Sequence, residues 1–211
     1  MPFYFKRAVV VIVFICLAGG FLAAQSRIDD LNLNGRKVSV YSPAGLKKNK
    51  KYPVLVFTDG QHCFGKGFHS LGLDILADSL IKQRLMEPVI ILAIHSDHNR
   101  LNDYIPYLDS SIFNDFGYYQ PRSIELIGFI KDELLPLIRS KYPANDTTGI
   151  AGFSFGGLLA SWAALHYPET FSFSAAFSPS MWVCDYRIFK EASLADSSQV
   201  YYLDIGTAEW N

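Results

Sequence analysis

Residues 148–166 read TGIAGFSFGGLLASWAALH. A short apolar run leads into a glycine-rich turn, and a run of small and apolar residues follows the turn without a break. The stretch predicts a strand that ends in a tight turn and continues directly as a helix. A unit of this kind favours an α/β fold, in which helices cover the faces of a mostly parallel sheet.

The turn contains the pattern Gly152-x-Ser154-x-Gly156. In a chain with 15 glycines among 211 residues this spacing alone is a weak signal, so the strand and the helix around it have to support it. Both support it. A nucleophilic serine in such a turn needs small neighbouring residues, and it needs the start of a helix whose backbone amides, beginning with that of Phe155, face a developing negative charge. We interpret Ser154 as a nucleophile; the alternative is a tight turn with a buried serine.

Strand and helix patterns alternate on both sides of this turn. Apolar runs predict strands, and 3.6-residue periodicity predicts helices, one of them with a kink at Pro136. A polar and aromatic stretch at 95–121 is expected to be a loop. The predicted strands are 37–41, 53–58, 88–94, 171–177 and 200–205, and the further helices are 71–85 and 122–142. The pattern predicts one three-layer α/β domain on a mostly parallel sheet.

Composition excludes several other classes of protein. Half of the residues are hydrophobic and only 18% are charged, which argues against a disordered chain. The 19 basic and 20 acidic residues leave no positive excess, so we expect no nucleic-acid partner. Cys63 and Cys184 have no metal-binding spacing, and they are either two separate thiols or one bridge. Neither a cofactor nor a metal is expected.

The first 24 residues have the pattern of a signal peptide. Lys6 and Arg7 precede an apolar run that ends at the small residues Ala23 and Ala24. We expect cleavage there, export to the periplasm or the medium, and no stable membrane insertion afterwards. The alternative is an uncleaved anchor, because the run from 8 to 24 has about the minimum length for a membrane span.

Several ordered segments make the chain resemble the putative esterase family of α/β-hydrolases, which includes enterochelin esterases, esterase D and feruloyl esterases. The matching segments are 51–61 (KYPVLVFTDGQ), 88–106 (PVIILAIHSDHNRLNDYIP), 130–143, 149–171, 177–182 (FSPSMW) and 201–209 (YYLDIGTAE). The resemblance implies the α/β-hydrolase fold and hydrolysis of carboxylic esters, of the siderophore or carbohydrate type, through a serine-bound acyl group.

The resemblance also implies roles for individual residues. Ser154 would be the nucleophile, and the backbone amides of Gln61 and Phe155 would form the oxyanion hole. The acid of the triad would be Glu209, with Asp204 as its competitor. Because the Gln61 loop should border the site, His62 is the one candidate for a substitute base, although a surface or substrate-contacting histidine is the favoured interpretation. Trp182 would wall the substrate pocket, and the alternative is an aromatic residue of the core.

The chain departs from the family pattern in one respect, because no histidine follows Glu209. We therefore expect an esterase-like domain over 25–211 that is incomplete at its C-terminus, lacking the last strand, the last helix and the triad histidine. Two alternatives stay open. The protein is an acyltransferase of the same fold, or it is an inactive relic that binds a ligand without turning it over.

Overall fold

The computed structural model describes residues 25–206, except 48, 97 and 99. The predicted signal peptide at 1–24 and the predicted acid Glu209 lie outside the described residues. Within the described residues, no helix combines the length and the apolar character needed to cross a membrane.

Seven strands form one sheet in the order β1-β2-β4-β3-β5-β6-β7. β1 and β2 form an antiparallel pair, and β2 is also antiparallel to β4. From β4 to β7 all neighbours are parallel. The strands are β1 (Arg27–Leu33), β2 (Arg36–Ser42), β3 (Tyr52–Phe57), β4 (Ile90–Ile94), β5 (Ala144–Phe153), β6 (Phe173–Phe177) and β7 (Val200–Asp204).

Both faces of the central strands are buried, as the continuous apolar runs predict. In β3, Val54 and Val56 belong to the larger core on one face, while Leu55 and Phe57 pack in a second core on the other face. The same alternation continues in β4 and β5. The core therefore lies on two sides of one sheet, which confirms the predicted three-layer α/β architecture.

The helices divide unequally between the two faces. α1 contributes Ala77 to the smaller core, and α4, α5 and α6 fill the larger one. The helices are α1 (Leu73–Lys82), α2 (Arg100–Tyr104), α3 (Phe113–Phe116), α4 (Ser123–Gly128), α5 (Leu135–Lys141), α6 (Phe155–His166) and α7 (Val183–Lys190). Short 3-10 turns lie at Gly60–His62, Ser110–Ile112 and Ala192–Leu194.

The predicted helix 122–142 is divided by a π-helical segment, Phe129–Leu134, which joins α4 to α5. The π segment ends directly before α5, in which Pro136 is the second residue. Proline has no N–H to donate and its ring crowds the carbonyl one turn earlier, so an irregular helix is expected at this point, and the kink itself stays a prediction.

Four elements differ from the sequence prediction. The stretch 95–121 contains α2 and α3 rather than loop alone. β1 was not predicted, because its sequence RIDDLNL is mostly polar and exposed. Its backbone forms a strand by antiparallel pairing with β2. α7 was also missed, and its chain is interrupted by left-handed backbone at Cys184, Asp185 and Tyr186.

Glu191 joins α6, α7 and the loop after α2. Its side chain is 17% exposed and accepts hydrogen bonds from His166 Nε2 (2.9 Å), Tyr107 Oη (2.7 Å) and Arg187 Nε (3.1 Å). Burial acts to raise the pKa of this carboxyl, but the hydrogen bonds from His166, Tyr107 and Arg187 outweigh it and lower the pKa. The ionised form of Glu191 therefore stabilises the fold.

The substitution Glu191→Gln is expected to lower the free energy of unfolding by about 1–2 kcal/mol at neutral pH. Since the folded pKa is depressed, this contribution exists above the unfolded pKa and is lost as the pH falls through the folded value. Urea unfolding of both proteins at pH 7 and at about pH 3 measures it. The exposed Glu125→Gln is the control; an equal loss at both pH values would contradict the assignment.

Candidate active site

Ser154 occupies the turn between β5 and α6, in the strand-turn-helix arrangement that the sequence predicts. Its backbone has φ 54 and ψ −121, a region that side-chain-bearing residues rarely adopt. Three backbone hydrogen bonds hold this conformation. The Ser154 N–H donates to the carbonyl of Phe177 (3.0 Å), and its carbonyl accepts from the N–H of Leu158 (3.0 Å) and of Ser180 (3.1 Å).

The glycines of the motif are required by the side chain of Thr58, which follows β3. A Cβ at Gly152 or at Gly156 would collide with Thr58 Oγ1, and at Gly152 it would also lie 2.6 Å from the Gly156 carbonyl carbon. Thr58 is 2% exposed, and its hydroxyl has no hydrogen-bond partner among the described residues. The end of β3 therefore fixes the turn at 152–156, called the elbow below, by direct packing.

Ser180 contacts Ser154 twice and was missed in the sequence. Besides its backbone N–H bond to the Ser154 carbonyl, its hydroxyl lies 3.1 Å from Ser154 Oγ, and its side chain is buried. A signal was available, since the segment Ser178-Pro179-Ser180 follows β6 directly and β6 is the parallel neighbour of β5. Residues after neighbouring parallel strands meet at one edge of the sheet.

A cleft of about 220 Å³ opens above Ser154. The rings of Phe116 and Phe155 meet edge to face at 5.2 Å, and Trp182 lies 6.0 Å from each of them. The structure thus brings together three residues that the sequence proposed for the site: Ser154, Phe155 and Trp182. The lining residues are Phe116, Ser154, Phe155, Ser178, Pro179, Ser180, Trp182 and Ile205.

Gln61 and His62 lie in the 3-10 turn after β3 and do not line this cleft. The N–H of Thr58 donates to the carbonyl of Ala151 (3.0 Å), so the loop starts beside the elbow. The first hydrogen bond of this turn runs from the His62 N–H to the Asp59 carbonyl (2.9 Å). The N–H of Gln61 lies one residue earlier and is not part of that bond. Both side chains are exposed.

No histidine among the described residues hydrogen-bonds Ser154. The Nε2 atom of His95 is 3.0 Å from Ser39 Oγ, and His166 pairs with Glu191. The alternative acid, Asp204, ends β7, and its carboxylate accepts from the Ser178 N–H (3.1 Å) and from Tyr202 Oη (3.0 Å). Among the described residues, the hydroxyls of Ser154 and Ser180 therefore lie together in an apolar cleft, and no basic side chain contacts either hydroxyl.

Cys63 and Cys184 are separate thiols, which decides between the two interpretations left open by the sequence. Cys63 is completely buried beneath the loop that carries Asp59, and burial, together with the Asp59 charge, raises the pKa of its thiol to about 12. The described residues contain no cluster of three or more histidine, cysteine, aspartate or glutamate side chains that could bind a metal ion.

Comparison with known proteins identifies the family of this chain. A family model described as "Putative esterase" matches residues 33–209. The protein YbbA of Bacillus subtilis is 25% identical over 162 residues, covering 75% of this chain and 62% of YbbA. The iron(III) salmochelin esterase of Escherichia coli O6:H1 is 29% identical over 171 residues, covering 78% of this chain and 37% of that enzyme.

Among solved structures, an IroE-like serine hydrolase from Shewanella oneidensis superposes with a TM-score of 0.66 at 25% identity, covering 80% of this chain and 55% of that one. The chain thus spans less than two thirds of the length of the curated relatives named above.

The packing of Thr58 against the elbow is tested by a double-mutant cycle. Gly156→Ala is expected to destabilise the protein by about 1–3 kcal/mol, because the new methyl group meets Thr58. Thr58→Ala removes the colliding Oγ1, so Gly156→Ala should cost distinctly less in the Thr58→Ala background. Urea unfolding of the four proteins measures the coupling.

The control for this cycle is Gly128→Ala at the end of α4, where a Cβ would have no neighbour within 4 Å. There, alanine should stabilise by about 0.5–1 kcal/mol. Equal costs of Gly156→Ala in both backgrounds would show that Thr58 is not what excludes a side chain.

Proposed function

Because this chain belongs to the putative esterase family, we propose that it is a serine hydrolase that cleaves carboxylic esters through an acyl-enzyme on Ser154. The observation that carries the proposal is the strained backbone of Ser154, which presents Oγ to an apolar cleft at the carboxyl edge of the sheet. Strain of this kind persists where the surrounding structure enforces it, and it concentrates at functional sites.

In the proposed reaction, Ser154 Oγ attacks the ester carbonyl carbon, and the serine proton passes through water to the oxygen of the departing alcohol. The carbonyl oxygen becomes an oxyanion, which the amides of Phe155 and Gln61 bind. The intermediate collapses, the C–O bond to the alcohol breaks, and the alcohol leaves with a proton. Water then attacks the acyl-serine and releases the carboxylic acid.

Ser180 supports this reaction by fixing the nucleophile. Its hydroxyl bonds Ser154 Oγ, and its amide bonds the Ser154 carbonyl, so both ends of the serine are held. These hydrogen bonds restrict the Ser154 side chain to one rotamer before the substrate binds. Less conformational entropy is then lost when the side chain reaches the geometry of attack.

The proposal assigns the acid of the triad to Glu209, which would orient a histidine that is not among the described residues. Because no base among the described residues contacts Ser154, we expect this chain to be acylated by activated esters and to release the acyl group slowly.

The substrate that we propose is a siderophore-type ester. The support is the relative named as a salmochelin esterase, together with a cleft walled by the rings of Phe116, Phe155 and Trp182, which suits a flat aromatic acyl group. The second substrate class that we propose is a carbohydrate ester. We also propose that the protein is exported after removal of residues 1–24.

The first test is a burst experiment with p-nitrophenyl acetate. The wild-type chain should release up to one equivalent of p-nitrophenolate per protein rapidly and then continue slowly, because no base among the described residues contacts Ser154 to assist deacylation. Ser154→Ala should show no burst, and mass spectrometry should find one acetyl group on the wild-type chain only.

Ser161→Ala is the matched control, since Ser161 is a buried serine in α6 whose hydroxyl bonds to no group in the part of the chain that the structure describes. It should retain the wild-type burst. A burst that survives in Ser154→Ala, or a wild-type chain that never acquires an acetyl group, would contradict the proposal.

The role of Ser180 has its own test. Ser180→Ala removes one hydrogen bond from Ser154 Oγ and should slow the acylation phase by about 3–10-fold, with the burst amplitude unchanged. Stopped-flow recording of p-nitrophenolate separates rate from amplitude. An acylation rate equal to that of the wild type would exclude a positioning role.

A further inference from the structure

The carboxylate of Asp59, on the loop after β3, is held at both oxygens. Arg100 donates to it in bidentate fashion, from Nε to Oδ1 (2.9 Å) and from Nη2 to Oδ2 (3.0 Å), and Ser96 Oγ also donates to Oδ1 (3.0 Å). The Asp59 side chain is 14% exposed and that of Arg100 is 33% exposed. A paired fork of this kind fixes the orientation of the carboxylate as well as its position.

The same guanidinium group also contacts the elbow. Its central carbon lies 5.6 Å from the centre of the Phe155 ring and 5.6 Å from that of the Tyr104 ring. Phe155 is buried and directly follows Ser154. Arg100 therefore bridges two loops that are about 95 residues apart in sequence, by charge on one side and by ring contact on the other.

The helix that carries Arg100 is itself anchored away from the cleft. Tyr104, one turn further along α2, accepts the Asp59 N–H at 2.8 Å, so α2 holds both the backbone and the carboxylate of Asp59. Asp103 forms a bidentate pair with Arg36 of β2 (2.6 and 3.1 Å), and its carbonyl accepts from Ser123 Oγ. α2 is thus a fixed platform for Arg100.

We propose that Arg100 is a positioning residue, which sets the separation of the Gln61 and Phe155 amides by tying Asp59 to the elbow. The inference rests on the proposed function, in which these two amides bind the oxyanion. Arg100 does not line the cleft and acts through its two neighbours. Its charge also pairs with the Asp59 carboxylate, which would otherwise oppose an anion bound two residues further along the chain.

Lysine cannot replace arginine in this position. An ammonium group would keep the charge, but it would lose the two parallel hydrogen bonds and the planar contact with the rings. Arg100→Lys is therefore the informative variant, because it separates the geometric role from simple charge neutralisation.

The experiment compares acylation by p-nitrophenyl acetate with acylation by its thiono analogue, in which sulfur replaces the carbonyl oxygen. An oxyanion hole shaped for oxygen favours the oxygen ester. Arg100→Lys and Arg100→Gln should slow acylation by the oxygen ester by about 10–100-fold, with a much smaller effect on the thiono ester. General loss of folded protein would slow both esters equally.

A second readout does not depend on turnover. Amide hydrogen exchange, followed by mass spectrometry, should increase in Arg100→Lys both in the segment 59–62 and in the segment 154–156. The control is Arg187→Lys, since Arg187 also pairs with a carboxylate (Glu191, 3.1 Å) and lies over a ring (Tyr107, 4.6 Å). It should leave both segments and the ester preference unchanged.

The outcomes separate the two proposals. If the wild-type chain shows no Ser154-dependent burst, the proposed function fails, and the exchange experiment still decides whether Arg100 links the two segments. If the burst is present but Arg100→Lys keeps the wild-type oxygen-to-thiono ratio, the positioning role is overturned. Increased exchange in one segment only would overturn the bridge as well.

Discussion

The site depends on a packing constraint between two adjacent parallel strands. Thr58, at the end of β3, lies so close to Gly152 and Gly156 that neither could carry a side chain. The Thr58 N–H also bonds the carbonyl of Ala151, so the strand register aligns the end of β3 with the elbow. A one-residue change in register would turn Thr58 to the opposite face and remove the contact.

Sequence reasoning predicts the parts of the molecule that depend on local pattern. The apolar runs of β3 and β4 and the elbow before α6 follow from periodicity and glycine spacing. Ser180 and Arg100 have less local signal, because their roles arise from contacts across 26 and 41 positions of the chain. β1 shows the same limit, since its polar sequence forms a strand only against β2.

The electrostatics of the cleft explain the division of labour that we propose. The residues lining it carry no formal charge, so an oxyanion there would be bound by backbone amides in a medium of low polarity, where dipoles act most effectively. Among the described residues, the nearby charges of Asp59 and Arg100 are paired with each other, and the Asp204 carboxylate accepts from the N–H of Ser178. In the proposed reaction, an uncharged cleft of this kind would favour the tetrahedral intermediate.

The most direct test of the central claim is to locate the residue that reacts with an alkyl fluorophosphonate, which labels activated serines with loss of fluoride. Peptide mass spectrometry of the labelled full chain should place the phosphonyl group on Ser154. The other serines, including Ser180 at 3.1 Å, should remain unmodified. A label on Ser180 or on several serines alike, or no label at all, would contradict the assignment of Ser154 as the nucleophile.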